Sequence, residues 1–296
     1  MSIRISLLAA ASLSLCNLAS AHVGLPAGGA TAGSNYDAAF TVGHACEGAQ
    51  STTALSVQLP AGFRFTEAIP RDGWTLTTPK AGSDGGEVRW AANSAANALT
   101  GHDRVSFIVR GTLPKQPGTL YFPVKQSCNV GQADWVQIPA PGDSSKLKMP
   151  AAKLEVLAPD VAPVDIKNAW VRATIAGQSG TGAFMTLQAP MGARLIGVST
   201  PAAGVSEVHE MKMEDNVMRM RQVKGLDLAP RQPVSLTPGG FHIMLMDLKQ
   251  PMTEGQHIDL DLLFETASGA KLHRTVSAEV KKAAPGGAAA PGGHQH

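Results

Sequence analysis

The chain predicts an all-β architecture of two β-sandwich domains, and three observations carry that expectation. Glycine and proline are frequent, at 31 and 20 residues, while aromatic residues make up only 5% of the chain. Short runs of Val, Ile, Leu and Thr lie between turn signals, the pattern of many short strands. With 296 residues, the chain is long for one sandwich and suits two domains. No internal repeat is visible.

Taken in chain order, the N-terminus reads as a secretion signal. Arg4 supplies the positive end, Ile5 to Leu18 the apolar stretch, and Ala19-Ser20-Ala21 a small-x-small cleavage site. The apolar stretch is shorter than the ~20 residues of a membrane span. A lipoprotein reading based on Cys16 is weakened by the bulky Leu15 before it. Cleavage after Ala21 makes His22 the first mature residue and the location periplasmic. The chain then divides into a signal (1–21), a first domain (22–157), a linker (158–163), a second domain (164–281) and a tail (282–296). The linker is placed by two prolines in a stretch, Leu157 to Val164, without helical or strand period. The tail, "AAPGGAAAPGGHQH" with its neighbouring residue, is low in complexity and expected to be disordered. Its His294 and His296 are either a Cu(II) trap or a solvated end.

Composition excludes some function classes. The formal net charge is +2 and no Lys/Arg block stands out, which gives a nucleic-acid role no electrostatic support. No hydrolytic triad or phosphate-binding loop emerges; Gly82-Ser83-Asp84-Gly85-Gly86 is a turn. Loss of Cys16 with the signal leaves Cys46 and Cys128. An even number in an oxidising compartment makes a disulfide the default, contributing ~4 kcal/mol in the chain-entropy model. A thiolate pair for copper is the alternative.

The most informative spacing is H-x10-M-x21-H-x-M, formed by His209, Met220, His242 and Met244. Imidazole and thioether are ligands of a soft, reduced copper ion. Strand alternation points His242 and Met244 the same way. The segment from Val208 to Val223 reads as a hairpin turning at Glu214-Asp215-Asn216. That places His209 opposite or diagonal to Met220, within cross-strand reach. Methionines on strand faces more commonly fill core gaps, and one histidine in a sheet is usually a satisfied polar residue. Here, however, six of the eleven methionines fall between Met211 and Met246, several beside charged neighbours. A core stripe would use Val, Ile and Leu.

The runs "HEMKMEDNVMRM" and "LTPGGFHIMLMDLKQPMTEGQ", with "AWVRAT" upstream, resemble the PCuAC family of periplasmic copper chaperones over roughly Val164 to Lys281. The resemblance implies a cupredoxin-like sandwich and an exposed Cu(I) site made of His209, Met220, His242 and Met244. It also implies delivery toward cytochrome c oxidase assembly, to its copper-bearing subunit or assembly factors. The family often has Met directly after the first His, where this chain has Glu210; Met211, Met213, Met218 and Met246 are extra thioethers.

A terminal His22 offers its α-amine and ring nitrogen to one metal, a chelate suited to Cu(II), or is simply a frayed end. The runs "AHVGLPAGGATAGSNYDAAFTV", "LSVQLPAGF", "PRDGW", "VRW" and "VKQSCNVGQADWVQIP" resemble the YcnI-like family of secreted copper-binding domains over nearly all of His22 to Val156. That resemblance implies a sandwich holding Cu(II) with His22 and Glu47 beside Trp135. His44 is a further ligand or a supporting group, and a Cys46–Cys128 bond would pin the Glu47 loop near the strand leading to Trp135. Trp74 and Trp90 are expected core anchors. Trp135 as core and Glu47 as a loop carboxylate are the plainer alternatives. His102, His257 and His273 lie outside any motif.

The leading expectation is a non-enzymatic periplasmic metallochaperone or copper scavenger with no membrane span, carrying Cu(II) in the first domain and Cu(I) in the second. A copper-dependent oxidative enzyme using the His22 chelate is the alternative. It needs an open coordination position and usually a second neutral imidazole, for which His44 is the local candidate. An envelope interaction module with incidental metal is the third.

Overall fold

A computed structural model describes residues 23–100, 103–140, 142, 146–214 and 217–284. The signal segment, His22, His102 and the His294/His296 tail lie outside the described residues. The described chain is all-β, with several sheets and a single short 3-10 turn at Ala95–Asn97. Every strand pair among the described residues lies within one of two halves. Each half has its own hydrophobic core, one drawn from Val23 to Val156 and the other from Ala162 to Val280.

The first half combines an eight-stranded and a three-stranded sheet. Its organising strand is Ser51–Ala68, 18 residues long. Its register with Asp84–Ala92 shifts between Leu59 and Arg64, where Pro60 withholds an N–H and Gly62 takes φ 86°. That bend lets one strand pair with Asp84–Ala92 and Val124–Cys128 before it and with Val105–Thr112 after it. Inside, Phe122 meets Phe40 and Phe63 edge-on at 5.5 and 5.4 Å. Trp74 and Trp90 are buried, and their ring N–H groups donate to the carbonyls of Asn97 and Ile69.

The second half is one ten-stranded sheet. Its strands run in the order Val217–Gln222, Ala203–Glu214, Phe241–Leu248, Gly180–Gln188, Asp165–Arg172, Lys271–Lys281, His257–Glu265, Ala193–Ser199 and Leu226–Leu228. Pro233–Leu236 pairs with the far end of Gly180–Gln188. Alternation buries one set of residues, including Ala183, Met185, Val208, Ile243 and Leu245, in the core. The segment 158–163 does not hang free of this half. The N–H of Ala162 donates to the carbonyl of His273 at 2.7 Å, and Ala162 itself is fully buried in the second core.

Candidate metal centre

The second-half site follows from three adjacent strands. In the antiparallel pairing of Ala203–Glu214 with Phe241–Leu248, His209 stands directly opposite His242, and Glu207 opposite Met244. In the pairing with Val217–Gln222, His209 faces Gln222 and Met211 faces Met220. Met220 is therefore the diagonal neighbour of His209. Paired residues share a face, so His209, Met220, His242 and Met244 all project from one side of the sheet. That side is the one opposite the core, because their sequence neighbours Val208, Ile243 and Leu245 fill the interior.

The imidazoles are nonetheless buried, at 8% exposure for His209 and 6% for His242. Their ring centroids lie 6.0 Å apart. Metal–nitrogen bonds of about 2.0–2.1 Å would bring two imidazoles on one ion to centroid separations of about 5–6 Å. Each ring has one nitrogen occupied. His242 Nδ1 lies 2.9 Å from the carbonyl of Gly240; a carbonyl only accepts, so Nδ1 donates and Nε2 keeps the lone pair. His209 Nε2 lies 2.8 Å from Glu207 Oε2. A carboxylate accepting from Nε2–H leaves the lone pair on Nδ1, and that atom is buried with no hydrogen-bond partner. Fixing one ring nitrogen to set the tautomer of the other is how metal-ligating histidines are held.

Aromatic rings flank the pair on the same face. Trp170 and Phe184 stack with centroids 4.5 Å apart, and Phe184 lies 6.4 Å from His242. The guanidinium of Arg172 sits 5.5 Å from the Phe184 centroid. Trp170 reaches this face because the strand Asp165–Arg172 carries one extra residue between Lys167 and Trp170, with Asn168 at φ 53°. One inserted residue reverses which face the next side chain takes. Gly182 makes room for the row: a Cβ there would come within 2.7 Å of the Phe184 ring. Met244 passes beside it, its terminal carbon 3.9 Å from the place a Cβ on Gly180 would occupy. Met220 is 49% exposed. Three rotatable bonds allow either thioether to swing toward the imidazoles.

In the first half, the described candidates are arranged differently. Cys46 and Cys128 form a disulfide across a sequence separation of 82. Glu47 and Gly48 form the tight turn that follows Cys46, closed by Ala49 N–H on the Cys46 carbonyl at 3.0 Å. Gly48 at φ 74° meets the demand of that turn's third position, and Glu47 is exposed. Trp135 is buried in the first core, its ring N–H donating to Gln126 Oε1 at 3.2 Å. The Gln126 amide in turn donates to the His44 carbonyl and to Thr52 Oγ1, both at 2.8 Å. His44 Nδ1 lies 2.7 Å from the carbonyl of Ala45, while its Nε2 is buried with no hydrogen-bond partner. Gln126 thus joins the His44 bend to Trp135.

Two participants escaped the sequence reading. Glu207 stands two residues before His209, so a Glu-x-His on a strand was the available signal. The Trp170–Phe184 row had none, because it depends on the bulge at Asn168. Among the described residues, no group of three or more His, Cys, Asp or Glu side chains converges as a metal cluster.

Comparison with known proteins divides the chain in two. Residues 22–156 match the family described as "Domain of unknown function (DUF1775)", and residues 164–276 match "Putative lipoprotein LpqE-like". A curated relative, "Putative lipoprotein Lxx21020" of Leifsonia xyli subsp. xyli, is 34% identical over 108 residues, 36% of this chain and 64% of the relative. The match thus spans less than two thirds of that relative's length. Among solved structures, a Nocardia farcinica protein with an immunoglobulin-like fold is 30% identical over 46% of this chain and 99% of its own, with a TM-score of 0.40. The copper-bound PCuAC domain from PmoF2 is 25% identical over 41% and 94%, with a TM-score of 0.33. The Cu(I) form of DR1885 from Deinococcus radiodurans is 27% identical over 41% and 78%, with a TM-score of 0.31. The chain carries a DUF1775 domain in residues 22–156 and an LpqE-like domain in residues 164–276.

Proposed function

We propose that the protein is a periplasmic copper carrier rather than an enzyme. In this reading Cu(I) is held by His209, Met220, His242 and Met244, and Cu(II) by His22 and Glu47 beside Trp135. The recipient lies in cytochrome c oxidase assembly, at the copper-bearing subunit or its assembly factors. One observation carries the reading: His209 and His242 stand opposite each other, each with one ring nitrogen fixed and the other left with its lone pair, on a sheet face bearing methionines. Two imidazoles with thioethers suit Cu(I). A half-exposed thioether such as Met220 also exchanges readily, as a carrier requires.

The test is an anaerobic Cu(I) titration and an aerobic Cu(II) titration of the secreted chain. H209A/H242A and M220A/M244A are expected to abolish tight Cu(I) binding, and H22A to weaken Cu(II) binding. Full Cu(I) affinity in both second-half variants removes that assignment, and unchanged Cu(II) affinity in H22A removes the first. One observation favours the oxidative-enzyme alternative: the buried, unpartnered Nε2 of His44 is a spare imidazole nitrogen in the first half. Copper-loaded protein given reductant, oxygen and polysaccharides would then release oxidised products, and the carrier reading expects none.

A further inference from the structure

The hairpin of Ala203–Glu214 and Val217–Gln222 has two chemically different faces. Met211 pairs with Met220 and Met213 with Met218, so four thioethers share the face that bears His209. Alternate positions carry Glu210, Lys212, Arg219 and Arg221, with Arg221 bonded to Glu210 at 2.8 Å. The methionine face is not interior: Met213 is 57% and Met218 45% exposed. An exposed strand is ordinarily furnished with Thr and charged residues, and packing gives no reason for unbranched methionines here. Directly opposed strand residues have Cβ atoms about 4.5–5.5 Å apart, and flexible thioethers on such a grid can bring their sulfurs to one ion. Met211, Met213 and Met218 form a donor set of sulfur alone, which selects soft metal over calcium or magnesium.

We infer that Met211, Met213 and Met218 form a second, thioether-only station for Cu(I) or Ag(I), outside the His209–His242 pair. It rests on the copper reading for the identity of the cargo, but not for its own ligands. Met220 lies between the two stations, opposite Met211 and diagonal to His209. An ion captured at Met213 and Met218 passes to Met211 and Met220 and then to the imidazoles by ligand exchange. No electron is transferred, and copper stays Cu(I) throughout.

The test uses the full chain with 13C-labelled methionine methyls, titrated with Ag(I) and, anaerobically, with Cu(I). The methyls of Met220 and Met244 are expected to shift first, and those of Met211, Met213 and Met218 on further addition. Because each methyl reports its own sulfur, metal bound elsewhere on the chain does not blur the result. M213L/M218L, a volume-conserving change, is expected to abolish the later Met211 shift and leave the earlier shifts intact. In H209A/H242A the Met211, Met213 and Met218 shifts are expected to persist, which separates this station from the imidazole site. Met213 and Met218 methyls that never move with either metal overturn the inference. So does an M213L/M218L protein whose Met211 methyl still shifts as in the parent.

Discussion

The two halves of the chain gather their candidate ligands by opposite means. In the second, strand register does it: His209 opposite His242, Met211 opposite Met220, Glu207 opposite Met244. The backbone hydrogen bonds that build the sheet also fix the spacing of the donors. In the first half, Glu47 sits on an exposed turn, Trp135 is buried in the core, and His22 lies outside the described residues. There the Cys46–Cys128 bond and the Gln126 side chain tie parts together that register does not. A site written into register inherits the rigidity of its sheet; a site carried on a turn needs a crosslink to hold it.

The sharpest way to break this contrast is to remove the crosslink. C46S/C128S is expected to lose about 4 kcal/mol of stability in the first half, from the loop-closure entropy returned to the unfolded chain. Urea unfolding followed by tryptophan fluorescence measures it. Cu(I) affinity of the second half is expected to stay at the parent value, and a parallel loss would mean the halves do not act independently. Next in size is H242A. Removing one imidazole of the opposed pair is expected to weaken Cu(I) binding by at least about 100-fold, beyond the 10–100-fold typical of lost supporting contacts. Competition with a colorimetric Cu(I) chelator measures it. Cu(II) binding by the first half is expected to be unmoved.

How much of this was legible in the sequence depended on the range of the contact. Alternation gave the shared face of His242 and Met244, and the hairpin gave Met220 as opposite or diagonal to His209; the register makes it diagonal, with Gln222 directly opposite. The all-β architecture was legible because turn residues and short β-prone runs act locally. Trp170 was not, because its face is decided by the inserted residue near Asn168, and a single insertion leaves no periodic trace. The join from His44 to Trp135 was not legible either. It runs through Gln126, 82 residues from His44, and nothing local specifies that partner. In the first half Glu47 and Trp135 came from resemblance alone and His22 from the cleavage site and its chelating terminus, whereas the ligands of the second were also written in spacing.

Gly182→Ala tests the second half from the strand beside the imidazoles, where Gly182 pairs with Met244. The new Cβ would meet the Phe184 ring at 2.7 Å, and relieving such overpacking costs about 1–3 kcal/mol. Phe184 lies 6.4 Å from His242, so a displaced ring disturbs the imidazole as well as the fold. A lowered melting temperature together with weaker Cu(I) binding is the expected pair of results. A loss of stability with Cu(I) affinity intact would reduce the aromatic row to ordinary packing.

The smallest effect is also the most specific. Glu207→Gln keeps an acceptor for the Nε2–H of His209 and removes only the carboxylate charge. The tautomer that leaves Nδ1 with its lone pair is therefore preserved, while the ring loses the basicity that an adjacent carboxylate gives a metal-bound imidazole. Glu207 has a side chain 28% exposed, so the fold is expected to tolerate the change with little loss of stability. Cu(I) affinity is expected to fall by roughly tenfold, the low end for such supporting contacts. Glu207→Leu, which also frees the ring to choose its tautomer, is expected to fall further. If both variants bind Cu(I) as tightly as the parent, the Glu207–His209 bond is a surface pair with no part in holding the metal. If the Leu variant alone weakens, orientation of the ring matters and charge does not.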